Sequence, residues 1–234
     1  MQQIQLYRSY PAGCSYITDN LSSNLIVDPE TRLNSAQYEM LLSKGFRRSG
    51  QMTYRPDCEQ CRACIPARIP VQQFKPRRSQ RRCITSNSDL LISITPARFS
   101  EEVFSLYERY LNHQHAGAGM DNPSDSSFTD FLCQRSDFSE FIEFRDQNGT
   151  LLCVACTDRL ENSLSAVYTW YDPAAANRGL GNFAILKQIE LAKSAALEFV
   201  YLGYWIESVR KMAYKVSYQP CEILVDGKWT SYKA

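Results

Sequence analysis

Apolar residues follow two regimes along this chain. From residue 139 onward they are periodic: Glu140–Arg145, Leu151–Thr157 and Leu164–Tyr171 each predict a strand, and Asp158–Ser163 reads as the turn of an antiparallel meander. From about Asn182 to Leu197, Ile185, Ile189, Ala192 and Ala196 share one face of a predicted helix. Phe199–Tyr204 then predicts an apolar strand, Glu207–Val216 a helix, and 221–225 a last strand turning at Asp226 and Gly227. Before residue 139 the signals are weaker. A helix is expected over 35–44, capped by Ser35, ended by Gly45 and apolar at Tyr38, Leu41 and Leu42. The alternation of Leu90, Ile92 and Ile94 before Pro96 predicts a strand over 83–95. Val103, Tyr107, Tyr110 and Leu111 mark an amphipathic helix. The small-residue loop His113–Pro123 follows it, and then a short helix at Phe128, Phe131 and Leu132. The class is α/β, with an expected division near Pro96–Ser100 into a small cysteine-rich lobe (1–98) and a regular α/β domain (99–234).

Composition narrows the class. Of 234 residues, 44% are hydrophobic and 22% charged, the balance of a globular chain long enough to bury a core. No run approaches the ~18–20 apolar residues of a membrane-spanning helix. The N-terminal MQQIQLYRSYPAGCSY also lacks the apolar stretch of a secretion signal. A cytoplasmic protein with no membrane partner is expected, in which the nine cysteines stay thiols or metal ligands.

The net charge of +1 conceals an uneven distribution. Between Lys44 and Arg82, eleven basic residues stand against Asp57 and Glu59, a local +9 that leaves −8 elsewhere. Such a block points to a polyanionic partner or an acidic substrate, against the plainer alternative of a solvated surface.

Three motifs carry candidate chemistry. Cys58, Cys61 and Cys64 form two overlapping C-x-x-C steps, suited to zinc or an iron–sulfur cluster with Cys14 or Cys83 as a distant fourth ligand. Three reduced thiols packed in a small lobe would give the same spacing. Arg178, Gly179 and Gly181 follow a predicted strand and open a predicted helix, an arrangement that presents backbone N–H groups to an anion. In GNAT-type acyltransferases a turn of this kind holds a pyrophosphate, although a capped turn alone would also produce it. The third motif runs from Tyr201 to Pro220. A strand delivers Tyr204 and Trp205 to its end, and a helix then presents Lys211, Tyr214 and Lys215, so that aromatic faces and cations interleave as they do where bases are stacked and phosphates neutralised.

That third string, YLGYWIESVRKMAYKVSYQP, resembles the signature of the aminoacyl-tRNA–protein transferases of the N-degron pathway. GFRRSGQMTYRPDCEQCRACIPARIPVQQFKPRRSQRR at 45–82, HAGAGM at 115–120 and the YTWYDP…GLG segment from Tyr168 to Gly181 resemble the same family. The likeness runs from about residue 7 to residue 229. The compact length, the C-x-x-C-x-x-C run and the F-x-P-x-R-S-x-x-R run are similar to the bacterial branch, which moves leucine onto N-terminal Asp or Glu and so marks proteins for degradation. The arginyl-transferring branch has a second Tyr where this chain has Trp205. The family commonly reads R-H-x-x-G-G-M where this chain has Gln114, His115 and then Ala-Gly-Ala-Gly-Met. The cysteine spacing also differs from that of the eukaryotic arginyl-transferases, whose cysteines bind an iron–sulfur cluster.

The resemblance implies a GNAT-type C-terminal acyltransferase domain and two partners, leucyl-tRNA and proteins beginning with Asp or Glu. The aminoacyl ester is already activated, so the transfer requires no cofactor. An α-amine with a pKa of ~7.7–8.0 has a sizeable free-base fraction near neutrality. Tyr168, Tyr204 and Tyr214 are the candidate donors or proton relays, and His115 a candidate proton shuttle. Trp205, Lys211, Lys215, Arg178, Gly179 and Gly181 are the candidate tRNA contacts. Arg78, Arg81 and Arg82 share one face if their segment is helical, and are the candidates for the acceptor carboxylate or, failing that, for tRNA phosphates. Cys14, Cys58, Cys61 and Cys64 are the candidate metal ligands. Three alternatives stay open at this point: arginine as the donated residue, a coenzyme-A-dependent N-acetyltransferase, and a non-catalytic nucleic-acid-binding module on a zinc-ribbon lobe.

Overall fold

Short strands with mixed faces build the first sheet. A computed structural model describes residues 4–114, 122–135 and 137–233. Strands β1 (Leu6–Arg8), β4 (Asn24–Val27), β5 (Arg47–Ser49) and β6 (Met52–Pro56) form an antiparallel sheet in the order β1-β4-β6-β5. A two-stranded ribbon, β2 (Ala12–Gly13) with β3 (Leu21–Ser22), lies between the first two in sequence. Helix α1 (Ser35–Ser43) precedes β5 and buries Tyr38, Leu41 and Leu42 as the periodicity requires. Its cap is Asn34 rather than Ser35. The Asn34 side chain accepts from Gln37 N at 2.8 Å, and the Gln37 side chain accepts from Asn34 N at 3.0 Å, a reciprocal capping box.

The second sheet has eight strands in the order β14-β13-β7-β12-β11-β10-β9-β8. Its members are β7 (Ile65–Pro70), β8 (Leu91–Pro96), β9 (Ser139–Arg145), β10 (Leu151–Arg159), β11 (Ser163–Tyr171), β12 (Phe199–Trp205), β13 (Glu222–Val225) and β14 (Lys228–Ser231). Between β7 and β8 lies α2 (Arg78–Thr85), so the strand expected over 83–95 is shorter, with its first residues helical instead. The antiparallel meander β9-β10-β11 leads through α5 (Leu180–Ser194) to β12, which lies parallel to β11. This is the meander, helix and parallel strand expected of a GNAT-type acyltransferase domain. The division expected at residue 98 is crossed by this sheet, because β7 pairs with β12 on one side and β13 on the other while β8 forms the far edge.

Each face of the large sheet has its own cover. On one face α5 buries Leu180, Phe183, Leu186 and Ile189 against β9, β10 and β12. Each such side chain contributes about 1.5–3 kcal/mol by leaving water. On the other face α3 (Glu101–Gln114) and the short α4 (Asp125–Phe128) enclose an aromatic core. Phe128 meets Tyr107 at 5.1 Å and Trp170 at 6.0 Å edge-on, and Trp170 Nε1 donates to Val103 O. The small sheet and α1 cover the same face further along, around Phe138, Leu160 and Tyr201. The helix expected at 207–216 is a single α-turn, α6 (Arg210–Ala213), continued by a 3₁₀ turn over Tyr214–Ser217. Among the described residues, no helix is long and apolar enough to cross a membrane.

Candidate active site

The parallel pair β11 and β12 does not stay together. Register pairs join Ser163–Ser165 to Phe199–Tyr201 and then stop. Two irregularities fall at this point. Opposite β10 the register slips between Cys156 and Thr157, leaving Val167 as an extra residue on β11. Opposite β7 it slips between Tyr201 and Gly203, leaving Leu202 extra on β12. An extra residue kinks a strand and increases its twist, so the two strands diverge from Ala166 and Leu202 onward. The facing backbone edges there are not closed by strand pairing. A narrow cavity at the divergence is lined by Ser165, Val167, Gly203, Tyr204, Arg47 and Pro66 among others.

Gly203 has φ +73°, the left-handed region in which a Cβ is unfavourable. The slip lets Tyr204 point to the same side as Tyr201, toward the small sheet. Its ring is buried, and its hydroxyl donates to Gly45 O at 3.0 Å, with Tyr54 O at 3.3 Å. The Arg47 guanidinium stands over the Tyr204 ring, 5.7 Å from its centroid. A Cβ placed on Gly203 would lie 3.3 Å from Arg47 Nη1 and 3.8 Å from Lys215 Nζ, so both cations converge on that one residue. Lys215 is buried and donates to Tyr204 O at 2.6 Å and to Met212 Sδ at 3.2 Å. Burial, and after it the Arg47 charge, push this ammonium down to about 7 against the opposing influence of Cys64.

The neighbouring Arg48 contrasts with Arg47, because successive strand residues face opposite ways. Arg48 is buried and closes a two-pronged pair with Asp158, with Nε–Oδ2 at 2.8 Å and Nη2–Oδ1 at 2.7 Å, supported by Ser139. The Arg47 guanidinium has no hydrogen-bond or ion-pair partner among the described residues. Its neighbours are the phenols of Tyr54, Tyr16 and Tyr204.

The expected site residues divide by location. Tyr168 is half-buried on the opposite wall of the divergence, against Tyr107, Tyr110 and Phe131, where burial raises its hydroxyl well above the usual phenol range. Tyr204 is committed to main-chain carbonyls, which makes it a strut between β12 and the small sheet instead of a free donor. Tyr214 and Lys211 are exposed on the turn after β12. His115 lies outside the described residues. Trp205 does not present a face for base stacking: it is buried against Ala67 and Cys221, with Tyr232 at 5.1 Å. Lys215 is enclosed and so not placed for an open phosphate backbone. Gly179 takes the left-handed conformation before α5, and Gly181 lies beside the Tyr171 ring. Arg178 is held by Asn87 Oδ1 at 3.0 Å and Asp89 Oδ1 at 2.5 Å, which turns its charge away from an anion at the helix start.

Arg78, Arg81 and Arg82 do share the helix α2, as expected, and their side chains stand in solvent. Cys64 has Cys14, Cys58 and Cys61 as neighbours, and burial together with them pushes its thiol up to about 11. Among the described residues, no three His, Cys, Asp or Glu side chains stand as a set that could hold a metal ion. The four cysteines expected as ligands thus lie near one another, and no chemistry is routed through a metal or cluster.

Sequence reasoning passed over Arg47 and Gly203. A glycine inside an apolar strand is a signal for a bulge. Two adjacent arginines in a short strand must also face opposite ways, which marks one of them as different from its neighbour.

Comparison with known proteins finds similarity over nearly the whole chain. The family described as "Arginine-tRNA-protein transferase, N terminus" matches residues 12–82, and its C-terminal counterpart matches 102–225. The "Aspartate/glutamate leucyltransferase" of Teredinibacter turnerae is 46% identical over 231 residues, covering 99% of this chain and 95% of that protein. The protein of the same name from Pseudomonas fluorescens is also 46% identical, covering 99% and 98%. Among solved structures, FemX overlaps with a TM-score of 0.49 at 8% identity, covering 92% of this chain and 83% of that one. With an N-terminal sheet that helps build the walls of the divergence, the chain belongs to the arginine-tRNA-protein transferase family of aminoacyltransferases.

Proposed function

We propose that this chain transfers leucine from leucyl-tRNA to the α-amine of proteins that begin with Asp or Glu, marking them for degradation in the cytoplasm. The observation that carries this reading is the divergence of β11 and β12, whose two walls differ in chemistry. The Tyr168 wall is aromatic and suits an aliphatic aminoacyl side chain. The Tyr204 wall is cationic and suits an acidic acceptor. The names of the relatives point to the same donor and acceptor.

The chemistry needs little beyond placement. The free α-amine attacks the ester carbonyl, the C–N bond forms, the C–O bond to the terminal ribose breaks, and the amine proton passes to the departing ribose oxygen. Holding amine and ester together supplies much of the rate. Backbone N–H groups on the unpaired edges past Ser165 and Tyr201 are suitably placed donors for the transient oxyanion. The ester carries its own activation, so the step calls for no cofactor. The exposed arginines of α2, with Lys211, are suited to the phosphates of the tRNA.

A transfer assay tests this reading with leucyl- and arginyl-tRNA and peptides that differ only in their first residue. Leucine should pass to peptides beginning with Asp and Glu. Preferential transfer of arginine, or efficient use of peptides beginning with Lys or Arg, would overturn it.

A further inference from the structure

We propose that Arg47 and Lys215, converging over Gly203, hold the side-chain carboxylate of the acceptor's first residue and set the preference for Asp or Glu. The inference rests on the transfer reading above and assigns the acceptor's side chain to a place in it.

Two cations from distant parts of the chain are brought within 4 Å of one point, the position that a side chain on residue 203 would occupy. Such a convergence repels itself unless an anion sits between the charges. The described residues supply none there. Arg47 has no carboxylate partner among the described residues, and Lys215 donates to a carbonyl and a thioether. The groups facing the pair from the surrounding elements include Tyr16 near β2, Tyr38 on α1, Tyr54 on β6, the Cys64 thiol, Tyr204 on β12 and Tyr214. Burial raises the Tyr16, Tyr204 and Cys64 groups, so none of the three brings a negative charge at neutral pH. A carboxylate arriving here would restore the charge that burial removes from Lys215, and the planar fork of Arg47 could donate to both of its oxygens.

The setting favours a carboxylate over a phosphodiester. The site is recessed, with Lys215 buried and Tyr204 closing one side. A chain terminus with a one- or two-carbon acidic side chain reaches into such a recess, whereas a phosphate inside a tRNA must bring backbone in on both sides. Open cations suited to that backbone stand elsewhere, on α2.

The test uses the full chain without tRNA and two pentapeptides with free α-amines, one beginning with Asp and the other with Asn. Calorimetry compares their binding to the unaltered protein, Arg47→Gln and Arg47→Lys, with thermal melting as the check of folding. The unaltered protein should favour the Asp peptide about ten- to a hundredfold. Arg47→Gln should bring that ratio close to one, and Arg47→Lys should keep part of it. Equal binding of both peptides to the unaltered protein overturns the inference. So does a parallel loss for both peptides in Arg47→Gln with the ratio intact, which would mark a structural role. A weakened and less salt-dependent tRNA affinity in Arg47→Gln, again with the peptide ratio intact, would reassign the pair to a phosphate and overturn it too. Absence of leucyl transfer alongside a retained Asp preference would sink the transfer reading while upholding the anion site.

Discussion

Positive charge sits in two very different surroundings in this molecule. On α2, Arg78, Arg81 and Arg82 project into solvent from a helix whose main anchor is the buried Gln80. At the divergence of β11 and β12, Arg47 and Lys215 are enclosed by phenols and backbone. Water screens the first group, so its members act additively and weakly, as suits a long polyanion. The second group is screened little, so each charge there acts strongly and selectively, as suits one small anion. A count of basic residues does not distinguish the two, although they lie within the same basic block of sequence or pack against it.

The enclosed region should respond most to mutation. Asp158→Ala leaves Arg48 buried without its partner, and should cost about 3–5 kcal/mol of folding stability, measured by urea unfolding. A cost near that of a surface ion pair would remove the contrast drawn here.

Lys215 sharpens the comparison through pH. Its folded-state pKa is lowered from 10.5 to about 7. Between those values the unfolded chain binds the extra proton, so unfolding free energy rises with pH from about 7 upward, and the contribution is lost as pH falls through 7. The stability difference between the unaltered protein and Lys215→Met should therefore grow across pH 7 to 10 by a few kcal/mol. Taking the difference cancels the buried thiols, which titrate in the same range with opposite sign. A flat difference would show that Lys215 is solvated.

Gly203→Ala comes next. The left-handed backbone costs about 1–2 kcal/mol with a side chain, and the new methyl would sit 3.3 Å from Arg47 Nη1. Transfer to Asp peptides should fall further than stability does, which parallel transfer kinetics and melting curves will show.

The α2 arginines should have the smallest effect. Arg78→Ala and Arg81→Ala should each leave stability within about 0.5 kcal/mol. Each should make the slope of tRNA affinity against salt shallower by up to about one. Loss of the preference for Asp over Asn peptides in either variant would move the acceptor site to α2.

The second half of the fold was readable because its strands and helix each bury one clean face. Leu151–Arg159, Ser163–Tyr171 and Phe199–Trp205 appear within two residues of the expected bounds. Strand β7 was not readable. Its sequence, IPARIP, contains two prolines and an arginine, yet it lies in the interior of the large sheet. The reason is local: β13 pairs only with Ala67 and Arg68, so Pro66 and Pro70 stand where β7 has a neighbour on one side alone. Arg68 is also accommodated, by Glu222 at 2.7 Å and by the faces of Phe199 and Trp229. Much the same holds for the site. The motif from Tyr201 to Pro220 located the wall of the divergence, but it gave no sign that Trp205 and Tyr204 would be enclosed, since alternation along β12 is broken by the bulge at Leu202.

The position of β7 also bears on how the chain is made. During synthesis this strand leaves the ribosome long before β12 and β13, the two strands between which it fits. Closing so long a loop is slow relative to local pairing, and until it closes the edges of β12 and β13 stay open to other chains. A fragment starting at residue 99 would carry those open edges permanently and should aggregate. A circular permutant that keeps every strand and only relocates the termini should fold.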